Sequence, residues 1–188
     1  MAYIIIGFVL LLIIAPIIAI LPSARQKALM AKRREAMAEN IRIDLTQIED
    51  PDPNPEDYIS NTGKPLDRKC PVAAYRIPRP RSGNWRQLPS IDWSVNRVNA
   101  ESDEDPVKGW RWDGRLDKKI SNDLNEFIVL NLAALPDDVM RVEEKKFLIS
   151  VYWKEAGEVQ ETIDFLTGCA ETNIVPVATD DPPNTDLP

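Results

Sequence analysis

The sequence predicts an α+β fold with one N-terminal transmembrane helix, a basic juxtamembrane helix, and a small mixed domain of about four to five strands and two helices. Two observations lead to this prediction. Residues 3–21 form an uncharged apolar run, which is typical of a membrane span. After it, segments in which apolar and polar residues alternate are interspersed with segments of helical period, which indicates strands and helices in one mixed domain.

The apolar run predicts a transmembrane anchor over residues 1–21. A helix needs about 20 residues to cross a hydrocarbon core about 30 Å thick, and the run comes close to that length. Positively charged flanks stay on the cytoplasmic side, so the basic residues after the run place the amino terminus outside and the remaining domain in the cytoplasm. Five of them are expected to contact anionic lipid headgroups: Arg25, Lys27, Lys32, Arg33 and Arg34.

The next residues predict a helix followed by a strand. Residues 22–40 are rich in Ala, Met, Lys, Arg and Glu, which are mostly good helix formers, and indicate a solvated juxtamembrane helix. Ile41, Ile43 and Leu45 alternate with polar residues, which predicts a half-buried first strand over residues 41–48.

Two acidic stretches predict irregular structure. Residues 49–67 combine several prolines with many acids, which is typical of a linker or a long surface loop. Residues 174–188 have the same character and cannot bury enough apolar surface to fold alone. They are predicted to form a disordered acidic tail.

Residues 68–173 form the predicted α+β domain. Alternation predicts strands around Trp93 and over residues 108–113 and 147–153, and helical spacing predicts helices over residues 116–135 and 159–170. Large aromatic side chains contribute much of the stability of a small domain, so the tryptophans are predicted to pack in the core rather than to form a ligand platform. They are Trp85, Trp93, Trp110, Trp112 and Trp153.

The composition argues against most enzyme chemistry. The chain contains no histidine, which excludes Ser-His-Asp and Cys-His catalysis and His-ligated metals. Cys70 and Cys169 are far apart and belong to no C-x-x-C pair, so they indicate neither a zinc site nor a redox motif. The acidic pairs at 137–138 and 143–144 are interpreted as a turn or a solvated face. No catalytic, cofactor-binding or metal-ligating residue is predicted.

One basic segment, residues 68–86, interrupts a chain whose formal net charge is -7. Arginine beside aromatic residues can bind phosphates and stack on bases, although the acidic surroundings argue against nucleic acid. The alternative interpretation is that these arginines pair with neighbouring acidic loops or with a partner protein. The candidate contacts for a partner or an anion are Arg68, Arg76, Arg79, Arg81, Trp85 and Arg86.

Two parts of the sequence resemble known proteins. The opening, an apolar run joined to a basic helix through Leu21-Pro22-Ser23-Ala24-Arg25-Gln26-Lys27, resembles the small auxiliary subunit of the bacterial preprotein translocase, the YajC type. This likeness covers about residues 1–45. The body, with Gly109-Trp110-Arg111-Trp112 and Val151-Tyr152-Trp153-Lys154-Glu155, is similar to uncharacterised bacterial single-pass proteins that share this opening. The resemblance implies a location in the bacterial inner membrane and supplies no catalytic residue.

The functional hypothesis from the sequence is a membrane-anchored, non-enzymatic accessory or scaffolding subunit that docks its cytoplasmic domain to a larger membrane protein complex. The first alternative is a tethered binding module for an anionic ligand or nucleic acid at residues 68–86. The second is an enzyme that uses carboxylates or Cys70.

Overall fold

The computed structural model describes residues 3–7, 11, 12, 14, 23–80, 92–99, 106–113 and 120–172. The chain divides into two compact units, Met1–Glu35 and Ala36–Pro188. In the first unit, residues 3–7 are helical, and helix α1 (Ala24–Ala38) begins. A capping box starts α1: the Gln26 backbone N–H donates to Ser23 Oγ at 3.2 Å, and the Ser23 N–H donates to Gln26 Oε1 at 2.8 Å.

The structure contradicts the predicted membrane anchor. Residues 1–2, 8–10, 13 and 15–22 of the predicted helices lie outside the described residues. In the part of the chain that is described, no helix is both long enough and apolar enough to cross a membrane. The predicted transmembrane helix, and with it the single-pass location in the bacterial inner membrane, is therefore wrong.

In its described residues, the second unit is an α+β fold built on one sheet of six antiparallel strands, in the order β1-β2-β6-β5-β3-β4. The strands are β1 (Arg42–Glu49), β2 (Lys69–Pro78), β3 (Trp93–Arg97), β4 (Trp110–Trp112), β5 (Val139–Lys145) and β6 (Leu148–Trp153). The helices are α2 (Asn122–Asn131) and α3 (Val159–Glu171), with short 3₁₀ helices at Pro55–Tyr58 and Leu132–Ala134.

The main hydrophobic core lies between one face of the sheet and the helices. Side chains alternate between the two faces of a strand, so the core-facing residues are every second one, such as Val95, Val142 and Val151, which lie in register across three strands. Helix α2 adds Leu124 and Ile128, and α3 adds Ile163, Phe165 and Leu166. Three of the tryptophans are fully buried in this core, as predicted: Trp93, Trp110 and Trp153.

The sheet has six strands where four to five were predicted, because β2 and β5 were not recognised. Strand β2 occupies part of the basic segment that was interpreted as surface, and its residues 72–75 are all buried. Strand β5 contains Glu143 and Glu144, which were interpreted as a turn or a solvated face and are also buried. The predicted loop 49–67 contains a 3₁₀ helix and a bridge between Ile59 and Pro65. The predicted tail, 174–188, lies outside the described residues.

Candidate functional site

The structure disperses the arginine-rich segment that was predicted as a contact surface. Arg81, Trp85 and Arg86 lie outside the described residues. Arg68 is exposed in the loop before β2, where its carbonyl accepts a hydrogen bond from the Asp50 N–H at 2.8 Å. Arg76 lies on β2, and its Nη1 pairs with Asp44 Oδ2 of β1 at 2.7 Å. The described arginines therefore do not form one continuous exposed patch.

Arg79 is buried, and its side chain joins the sheet to the end of α3. Its Nε and Nη2 donate to the two carboxylate oxygens of Glu144, each at 2.7 Å. Its Nη1 donates to the carbonyls of Cys169 at 2.6 Å and Thr172 at 2.8 Å. Burial lowers the pKa of Arg79, but the hydrogen bond to Glu144 and its negative charge outweigh this effect and raise the pKa above its usual value. Arg79 thus has a structural role and is not available to a partner or an anion.

The adjacent carboxylates of β5 serve two separate networks. Glu144 faces the core and accepts a further hydrogen bond from Trp93 Nε1 at 2.9 Å. Glu143 faces the other side of the sheet, where Tyr152 Oη and Lys145 Nζ both donate to it at 2.7 Å. Neighbouring residues of a strand point to opposite faces, so the two carboxylates cannot act together on one substrate.

The two cysteines are buried thiols. Burial raises the pKa of Cys169 to about 12, although the positive charge of Arg79 opposes this shift. Burial likewise raises the pKa of Cys70. Since the thiolate is the nucleophilic form, neither cysteine is activated. Among the described residues, no group of three or more Cys, Asp or Glu side chains could hold a metal ion.

The basic residues predicted to contact lipid all lie on α1. Arg25, Lys27 and Arg34 are exposed, whereas Lys32 and Arg33 are half-buried. These residues were assigned to a membrane surface because of the predicted anchor. Since the structure contradicts that anchor, the assignment has no support.

A candidate binding feature of the second unit is the outer edge of β1. Strand β1 pairs with β2 over eight continuous residue pairs, from Arg42↔Arg76 to Glu49↔Lys69, without a bulge. Among the described residues, no strand pairs with its other side, because β1 is first in the strand order. Natural edge strands are usually short, bulged, interrupted by proline or covered. Strand β1 is longer than the usual five to six residues and contains no proline.

The register of the sheet identifies which backbone groups of β1 point outward. In the antiparallel pair β1–β2, the Asp50 N–H donates to the Arg68 carbonyl just beyond the strand ends. Hydrogen-bonded and non-hydrogen-bonded pairs alternate in such a ladder, so the even-numbered residues of β1 bond to β2. The N–H and C=O groups of the odd-numbered residues therefore point away from the sheet, and no described residue hydrogen-bonds to them. These residues are Ile43, Leu45, Gln47 and Glu49.

An open groove of about 420 Å³ is lined by residues of β1, β2 and the end of β6. Leu45 of β1 lines it, and the side chain of Leu45 is 69% exposed. Across the sheet, Leu45 is in register with Ala73 of β2, and Ala73 with Trp153 of β6. The buried Nε1 of Trp153, also on the groove lining, has no hydrogen-bond partner in the described structure. The groove thus offers an exposed apolar side chain, Leu45, whereas Trp153 is fully buried.

The sequence prediction missed this edge because alternation alone does not give the order of strands in a sheet. Leu45 was predicted as half-buried, on the pattern Ile41, Ile43 and Leu45. The charged residues Arg42, Asp44 and Glu49 on β1 are a signal that could have indicated an edge, since charges are enriched on edge strands.

No family model, no curated protein and no solved structure matches this chain.

Proposed function

We propose that this chain is a non-enzymatic docking protein, an accessory subunit whose second unit binds an extended segment of a partner protein along β1. The observation that supports this proposal is the row of outward backbone groups at Ile43, Leu45, Gln47 and Glu49, on a regular eight-residue edge strand. An added strand would satisfy these groups, as in other complexes in which a peptide extends a sheet.

The side chains around β1 favour a particular kind of segment. Leu45 projects on the groove side of β1, so an added strand that places an apolar side chain beside it would remove both side chains from water. Removing apolar surface from water stabilises a complex by about 25 cal/mol per Å². The partner is therefore an extended, β-forming segment with an apolar residue next to Leu45. Backbone pairing supplies the remaining contacts, so the rest of its sequence is weakly restricted.

The two alternatives from the sequence have less support. An anion site at residues 68–86 would need free arginines, but Arg79 is committed to Glu144 and two carbonyls, and Arg76 is paired with Asp44. A carboxylate enzyme would need acids that face one substrate. Glu143 and Glu144 face opposite sides of the sheet, and Asp138 accepts hydrogen bonds from the Ala156 and Gly157 N–H groups.

The test is co-purification with a variant that removes one outward donor. Gln47→Pro deletes the N–H of Gln47, which does not bond to β2, and proline is tolerated in edge strands where the N–H faces solvent. Gln47→Ala is the matched control, because it removes the same side chain but keeps the N–H. The full chain carries an affinity tag and is purified from its native host at low and at physiological salt.

We expect a protein to co-purify in a fixed ratio with the wild type and with Gln47→Ala, and to be lost with Gln47→Pro. A melting temperature of Gln47→Pro within a few degrees of the wild type would show that the fold is intact. If the partner is a second copy of the chain, light scattering would give twice the chain mass for the wild type and the single-chain mass for Gln47→Pro. Retention of the partner by Gln47→Pro, or a wild type that purifies as a lone monomer, would refute the proposal.

A further inference from the structure

The edge strand β1 carries opposite charges at its two ends. Arg42 is the first residue of the strand and Glu49 is the last, and both side chains are exposed. Seven residue steps separate the two residues, which corresponds to about 23 Å along a strand. An extended segment that pairs with β1 over its whole length would therefore meet a positive charge at one end and a negative charge at the other.

The positive charge of Arg42 is not matched by a described carboxylate. Its direct partner across the sheet is Arg76, and like charges directly opposite each other destabilise a pair of strands. Asp44 lies on the same face of β1 as Arg42, but its carboxylate pairs with Arg76 at 2.7 Å. Arg42 itself forms no ion pair with any described residue. A carboxylate placed beside Arg42 by an added strand would offset the repulsion between the two arginines.

The negative charge of Glu49 is in a similar position at the other end. Its direct partner across the sheet is Lys69, but the Lys69 ammonium pairs with the Asp67 carboxylate at 3.0 Å. Glu49 forms no ion pair with any described residue. A basic side chain of an added strand could therefore pair with Glu49 without displacing an existing ion pair.

The pleat of the sheet determines which residues of an added strand would meet these charges. Residues directly opposite each other on paired strands have their side chains on the same face, and neighbours along a strand have theirs on opposite faces. Glu49 and Leu45 thus share one face of β1, and Arg42 lies on the other. All described strand pairs are antiparallel, and antiparallel pairs are slightly more stable per residue than parallel ones. An added strand is therefore expected to run antiparallel to β1 and to begin opposite Glu49.

We propose that the segment bound by β1 has a basic residue at its first position, an apolar residue at its fifth and an acidic residue at its eighth. In an antiparallel pair these positions lie opposite Glu49, Leu45 and Arg42. The inference rests on the docking proposal and adds a charge pattern and a direction to it. Exposed ion pairs contribute little energy individually, so the charges select the direction of the segment, whereas backbone pairing and the burial of Leu45 supply most of the affinity.

The test compares two peptides of identical composition. The first has the proposed order, Lys-Thr-Thr-Thr-Val-Thr-Val-Glu, and the second has the charges exchanged, Glu-Thr-Thr-Thr-Val-Thr-Val-Lys. Both are acetylated and amidated, which removes the charges of their ends. Binding is followed by NMR on the ¹⁵N-labelled full chain, through the backbone N–H signals of Ile43, Leu45 and Gln47. For the first peptide, binding in the millimolar range is expected. At low salt the second should bind at least about threefold more weakly, because two ion pairs are replaced by like-charge contacts.

A charge-reversed chain is the matched control. The double substitution Arg42→Glu and Glu49→Lys changes two exposed side chains, keeps the net charge, and should make the second peptide the tighter ligand. Its ¹⁵N spectrum shows directly whether the fold is kept, and the wild-type comparison decides without it. If the wild type binds the second peptide as tightly as the first or more tightly, or if the folded double variant keeps the wild-type preference, the charge pattern is overturned and docking at β1 stands. If neither peptide shifts the β1 signals at millimolar concentration, the docking proposal fails together with the charge pattern.

Discussion

Replacing Glu144 with glutamine is expected to destabilise the second unit strongly. The Glu144 side chain is 1% exposed and that of Arg79 is 5% exposed, and the two form a bidentate ion pair with both distances at 2.7 Å. Glutamine keeps the shape of the side chain but removes its charge. Arg79 cannot lose its proton in compensation, because an arginine side chain stays protonated in proteins even when it is buried. The variant therefore leaves a positive charge buried without a counterion.

The size of the effect follows from this burial. Removing one partner of a buried ion pair costs about 3–5 kcal/mol. In addition, glutamine places an NH₂ donor where one of the two Glu144 oxygens accepts hydrogen bonds from Arg79 or Trp93. For a domain of this size, about 1 kcal/mol corresponds to 2–4 °C in melting temperature. A decrease on the order of 10 °C is therefore expected for Glu144→Gln.

Urea denaturation, followed by tryptophan fluorescence, measures the free energy of unfolding. The matched control is Asp44→Asn, because Asp44 also pairs with an arginine, Arg76, at 2.7 Å, but at an exposed position. Exposed ion pairs contribute about 0–1 kcal/mol, so Asp44→Asn should change stability by less than about 1 kcal/mol. If Glu144→Gln cost no more than Asp44→Asn, the structural role assigned to Arg79 would be wrong.

Three further outcomes are expected. Gly157→Ala should lose about 1–3 kcal/mol of stability, the usual cost of overpacking, because a Cβ at this position would clash with the ring of Pro136, whose Cγ would lie at 2.9 Å; thermal denaturation measures this. Cys169, with its pKa raised to about 12 by burial, should stay protonated in the folded chain and resist iodoacetamide at pH 9, where the unfolded chain in urea reacts. The thiol ionises at a lower pH in the unfolded chain than in the folded one. The stability that Cys169 contributes is therefore complete below the ordinary thiol pKa and falls as the pH rises towards 12. The pKa of Tyr58 is raised to about 12, first by its hydrogen bond to Asp50, so Asp50→Asn should lower the pH at which Tyr58 ionises, measured as the difference in phenolate absorbance between the variant and the wild type at high pH.

The sequence predicted those elements whose pattern is local. Strand β6 alternates over Leu148–Trp153, and α3 over Val159–Glu171 has apolar residues at helical spacing. Both lie close to the predicted ranges. Helix α2 is shorter than predicted and occupies Asn122–Asn131, with Ser121 as its N-cap; the Leu124 N–H donates to Ser121 Oγ at 3.2 Å. Residues 114–119, at the start of the predicted helix, lie outside the described residues.

The missed strands depend on contacts between residues far apart in the chain. Glu143 and Glu144 look solvated in the sequence, but β5 is buried between β6 and β3, and its carboxylates are neutralised by Lys145 and by Arg79, the latter 65 residues away. Arg79 also looks like a surface arginine in the sequence, because its partner Glu144 is distant in the chain. The order of strands, which leaves β1 at an edge and so defines the proposed docking site, is likewise a property of the whole sheet and not of any local pattern.

The docking proposal is tested most directly by photo-crosslinking in the native host. A benzophenone amino acid is placed at position 45, beside the outer edge of β1, or at position 130 on α2. The native leucines at both positions are 69% exposed, so non-specific crosslinking is expected to be equal at the two positions. We expect ultraviolet irradiation to give a defined crosslinked product from position 45 and none from position 130. Equal crosslinking at the two positions, or none at position 45, would contradict the assignment of β1 as the docking edge.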